Sequence, residues 1–118
     1  MSRVKKNATA MKRMCERLSE LLHHVYAGDV KALSEAMGYS YETTLRKALN
    51  SQETFPDVER FNTLMEHPAQ GCIIPNLNWL VNGVERPLLE ISKGKVVDQI
   101  TFGDFVNRYP LRLVRPRD

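Results

Sequence analysis

The chain contains little that could crosslink it, hold a metal or carry it through a bilayer. Its 118 residues include only two cysteines, Cys15 and Cys72, and neither has a second cysteine or histidine at ligand spacing. That excludes a disulfide framework and a thiolate zinc site, and both cysteines read as small buried hydrophobes. No apolar run approaches the roughly 18 residues of a spanning helix, and no apolar signal segment follows the basic, polar opening, so the expected location is cytoplasmic. A glycine-rich phosphate loop, a nucleophile elbow and a cysteine-histidine arrangement are all missing, and the sequence reads as non-enzymatic, without cofactor or metal. Repeats and low-complexity tracts are absent. What remains, 42% hydrophobic and 26% charged residues, is the composition of one ordinary folded domain.

The net charge of +3 is small, but its distribution is uneven. Residues 1–17 carry six bases against Glu16, whereas residues 52–90 carry six acids against Arg60 and Arg86. The stretch 91–118 is basic again, with Arg108, Arg112, Arg115 and Arg117 crowded near its end. Basic ends suit a polyanionic partner such as nucleic acid, although solubility alone explains charges of this kind equally well.

Apolar spacing of three and four predicts a helix over residues 8–26, through Met11, Met14, Cys15, Leu18, Leu21, Leu22 and Val25. Gly28 ends it, and Asp29 is placed to cap a short second helix containing Val30, Leu33, Ala36 and Met37. After Gly38, Ser40 can cap a third helix over 41–49 that turns Leu45, Ala48 and Leu49 inward. Pro56 introduces a fourth helix with Val58, Phe61, Leu64 and Met65 inward, stopped by Pro68. Residues 69–75 read as a loop with an apolar plug, Cys72 to Ile74. Asn76 then caps a fifth helix burying Leu77, Leu80 and Val81, with Trp79 at the core edge and Gly83 as the stop. Beyond it, 88–92 and 95–100 read as strands around a Lys93-Gly94 turn, and 111–114 as a third strand. Thr101 and Asp104 have the spacing of a capping box for a helical turn through Phe105 and Val106.

Residues 33–46 have the grammar of a helix-turn-helix: a short apolar-faced helix, a glycine turn, and a helix with an exposed polar side. In that arrangement one helix braces on phosphate while the next meets base edges in the major groove. The polar side here is Tyr41, Thr43, Thr44, Arg46, Lys47 and Asn50, with Ser40 at its start. Arginine or lysine can pair with guanine, and a threonine methyl can touch thymine. Lys5, Lys6, Lys12 and Lys31 are the candidate phosphate contacts.

Residues 33–49, followed by Asn76-Leu77-Asn78-Trp79-Leu80-Val81-Asn82-Gly83, resemble the five-helix DNA-binding domain of phage repressors of the lambda repressor and Cro type, over roughly residues 12–89. Met37-Gly38-Tyr39-Ser40 followed by Thr44-Leu45-Arg46-Lys47-Ala48-Leu49-Asn50 is also similar to phage CII-type regulators. The resemblance implies a homodimer reading a two-fold duplex operator. It departs in two places. The inward residue six positions after Gly38 is Thr44, where the apolar residue is Leu45, and Ser34 stands where an alanine is usual.

The reading is thus a mainly α domain: a flexible basic start (1–7), a five-helix, lambda-repressor-like unit with the helix-turn-helix (8–83), and a small β-containing extension (84–118) available for dimerisation. Its function class is a dimeric, sequence-specific transcriptional regulator. The rival class is a helical protein-interaction module, an adaptor or inhibitor, on the same scaffold. His23-His24 read as surface or edge histidines, because neighbours on a helix point apart. Tyr39 and Tyr41 read as packing residues rather than stacking platforms for single strands.

Overall fold

The computed structural model describes residues 2–52 and 54–110, with side chains described from residue 9 onward. The elements are α1 (Ser2–Val25), α2 (Val30–Ala36), α3 (Glu42–Ser51), α4 (Val58–Glu66), β1 (Ile73–Pro75), α5 (Leu77–Asn82), β2 (Leu88–Ser92), β3 (Lys95–Ile100) and α6 (Phe102–Arg108). The chain is therefore mainly helical with a small antiparallel sheet of order β1-β2-β3. Among the described residues no helix is long and apolar enough to cross a membrane.

α1 is the spine. Its Cys15, Leu18, Leu21, Leu22 and Val25 are buried, the stripe the three-four spacing demands. The same core holds Leu33 of α2 and its C-cap Met37, Leu45 of α3, Phe61 and Leu64 of α4 and Leu80 of α5. Ile73, Leu88 and Ile100 of the sheet and Phe105 of α6 belong to the same core. Local chemistry sets the boundaries. Asp29, Asp57 and Asn76 each accept from a backbone N–H in the first turn of α2, α4 and α5, and Thr101 and Asp104 complete the capping box of α6. Those hydrogen bonds hold the Asp104 carboxyl below the usual carboxylate range. Lys93 and Gly94, both at positive φ, make the two-residue hairpin turn between β2 and β3.

Five expectations are corrected. The first helix starts not at residue 8 but at Ser2, so residues 2–7 of the basic start belong to α1. The apolar plug is not loop: Ile73–Pro75 forms β1, paired antiparallel with Leu88–Glu90 of β2. Val58 is not inward but 84% exposed, as the first residue of α4 directly after its N-cap Asp57. Val81 is 46% exposed, since α5 is only six residues long and buries Leu80 alone. Leu49 is half-buried at the edge of the core. The strand expected at 111–114 lies outside the described residues.

Candidate nucleic-acid interface

α2 and α3 are joined by residues 37–41. Gly38 sits at φ +83°, a conformation costly for side-chain-bearing residues, and lets the chain bend sharply after Met37. The bend is fastened from α4. Arg60 Nη1 donates to the Gly38 carbonyl at 2.7 Å, and the same guanidinium lies over the Tyr39 ring, 4.5 Å from its centroid. Burial pushes the Tyr39 phenol up, with Arg60 opposing and Asp57 reinforcing that shift. Tyr39 is thus a packing residue, as its sequence context suggests. Tyr41 is not: it is 75% exposed.

Sequence spacing left the register of α3 open between Thr44 and Leu45. Leu45 is completely buried and Ala48 nearly so, while Thr44 is exposed. The first inward residue of α3 is therefore Leu45, seven positions after Gly38. Ser40 does not cap α3. The N-cap is Tyr41, whose side chain makes no capping bond. With about 100° per residue, burial of Leu45 and Ala48 turns Thr43, Arg46, Lys47 and Asn50 to the opposite side, and all four are exposed.

The remaining site residues are divided between two cavities beside α3 and the surface of α1. Lys31, Ser40 and Tyr41 line a cavity of about 330 Å³ between α2 and the start of α3, together with Ser34, Glu35 and Glu42. Thr44 and Lys47 line a second one of about 430 Å³ with Arg60 and the loop that precedes α4. Lys12 is exposed on α1. Lys5 and Lys6 lie on α1, and their side chains are outside the described residues.

Two participants escape the sequence reading. Glu42 holds Arg46: its carboxylate accepts from Arg46 Nε at 3.2 Å, and Nη2 lies 3.2 Å from the same oxygen. Their four-residue separation on a helix was a sufficient signal. Arg60 had none, because its partner is 22 positions away. The assembly offers donors and two cations on a firmly seated helix, with one carboxylate tethering one of the cations. Comparison of the chain with family models, curated proteins and solved structures finds no match in any of the three.

Proposed function

We propose that the chain is a sequence-specific double-stranded DNA-binding transcriptional regulator, a homodimer that represses phage or bacterial promoters by occlusion. The observation that carries this reading is the outward stripe of α3, where Thr43, Arg46, Lys47 and Asn50 are all exposed and all polar, on a helix locked by Leu45 and Ala48. A helix entering the major groove needs such a stripe, since base edges present donors, acceptors and a methyl group. Lys5, Lys6, Lys12 and Lys31 would position the protein on phosphate, and α3 would specify sequence. Arg46 would exchange its Glu42 partner for a guanine edge or a phosphate, and Lys47 is a second donor beside it. Two copies would read half-sites about one turn, roughly 34 Å, apart.

The test is selection of bound duplexes from a random pool, followed by affinity across a salt series. A two-fold consensus with affinity falling steeply as salt rises is expected. Absence of duplex binding at low salt overturns the reading. The protein-interaction reading is favoured by a different observation, an open apolar groove lined by α1, α4 and α5.

A further inference from the structure

That groove encloses about 420 Å³ and is lined chiefly by Met14, Phe61, Met65, Leu77, Leu80 and Val81, with exposed Val58 at its rim. Its α4 side carries carboxylates. Asp57 lines it directly. Glu59 and Glu66, one heptad apart on α4 and both exposed, stand beside the groove-lining Asn62. Two nearby cations have their own partners: Arg17, at the α5 wall of the groove, donates to the carbonyls of Leu80 at 3.0 Å and Val81 at 3.2 Å, and Arg60 reaches away to Gly38, while Arg13 beside Met14 is exposed.

One segment of the sequence is complementary on both counts. Residues 111–118 combine Leu111, Leu113 and Val114 with Arg112, Arg115 and Arg117, against the single acid Asp118. Three aliphatic side chains match an apolar groove, and three arginines match three carboxylates. We infer that residues 111–118 of a second copy dock in the groove between α1, α4 and α5, and that two copies exchange these segments reciprocally. The exit of the segment favours exchange over self-docking. α6 packs on the opposite side of α5 from the groove, where Phe102 meets the edge of Trp79 at 5.4 Å. Its end is tied to the sheet, Arg108 to Glu90 at 3.0 Å and the Tyr109 hydroxyl to the Cys72 thiol at 3.3 Å. From there the eight residues 111–118 can extend at most about 28 Å.

The inference takes the two-copy assembly from the proposed function. Its test is run without DNA, so failure to pair and failure to bind DNA are separate results. Sedimentation velocity of the full chain over a dilution series is compared with three variants: Leu113→Asp, Glu59→Lys with Glu66→Lys, and Arg112→Glu with Arg115→Glu. Circular dichroism verifies that each is folded, which the exposure of the altered α4 positions favours. The parent is expected to dimerise, and each variant to weaken the dimer by at least about tenfold. An equimolar mixture of the two charge-reversed chains should dimerise again, because each groove then meets a segment of opposite charge. A monomeric parent, or variants that dimerise like the parent, overturns the inference. So does a mixture that stays monomeric, the result expected if the segment docks on its own chain.

Discussion

α3 and α4 are built alike and finished differently. Both are short amphipathic helices that bury two residues, Leu45 and Ala48 in one, Phe61 and Leu64 in the other. What they leave outside separates them. α3 exposes Thr43, Thr44, Arg46, Lys47 and Asn50 and not one large aliphatic side chain, whereas α4 exposes Val58 flanked by Asp57 and Glu59. The buried face decides that a helix folds here, and the outer face decides what it can meet. Donors and cations suit a polyanion with its own acceptors, and aliphatics among carboxylates suit an apolar segment carrying cations. Arg60 joins the two helices by reaching from α4 to the Gly38 carbonyl, so the seat of α3 depends on α4.

The largest effect expected within this comparison is at Leu45. Leu45→Ala removes a fully buried leucine from the centre of α3 and should cost about 2–5 kcal/mol, measured by urea unfolding. Thr44→Ala, at an exposed neighbouring position, should change stability by under about 0.5 kcal/mol. A harmless Leu45 change alongside a damaging Thr44 change would reverse the register of α3 and remove its polar stripe.

Features resting on local chemistry were legible in the sequence. The Lys93-Gly94 turn, the Thr101 and Asp104 box and the Asn76 cap each need only a few adjacent residues, and all stand where spacing places them. Non-local features were not. β1 is three residues long and exists because β2, some fifteen positions later, supplies its ladder. Val58 and Val81 share a helical stripe with buried residues, yet periodicity says which side chains align and not how far the neighbouring elements cover them. The polar stripe of α3 was readable because one inward leucine fixes it. The clasp from Arg60 was not, and neither was the groove, which needs three elements to be in place.

The next effect concerns what the α3 stripe binds. Arg46→Ala should cost about 1–3 kcal/mol on the preferred duplex and flatten discrimination at one position if the guanidinium pairs with guanine. If it meets phosphate, the loss should be equal on all sequences and the salt slope should fall by about one. Glu42→Gln should tighten binding to every duplex, because it releases Arg46 and removes a negative charge from the stripe. Fluorescence anisotropy on matched and mismatched duplexes reads both variants. Unchanged affinity on every duplex would take Arg46 out of the interface.

A smaller effect tests the joint between the helices. Gly38→Ala places a Cβ at φ +83°, 3.1 Å from Thr63 Cγ2, and should cost about 1–2 kcal/mol. Gly94→Ala at φ +76° meets open space, so it pays for the backbone alone. The difference between their urea midpoints isolates the crowding against α4. Equal midpoints would mean that Thr63 yields freely and that α4 does not brace the turn through this contact.

The smallest effect on stability, and the one that raises it, is at Ser34, beneath the α2–α3 bend. The residue is 2% exposed, and its hydroxyl oxygen is buried with no hydrogen-bond partner among the described residues, while its backbone carbonyl accepts from Tyr39 N–H at 3.0 Å. A desolvated hydroxyl without a partner opposes folding, and alanine is the better helix former, so Ser34→Ala should raise stability by up to about 1 kcal/mol. The change keeps the small volume that lets α2 approach α3, and the exposed stripe is untouched, so duplex affinity should stay the same. Ser34→Val separates volume from polarity: it also removes the hydroxyl, but it forces two extra methyl groups into the contact and should destabilise by about 1–3 kcal/mol. If Ser34→Ala instead weakens the fold, an ordered water satisfies the hydroxyl, and the bend beneath α3 is held by a polar bridge rather than by close packing alone.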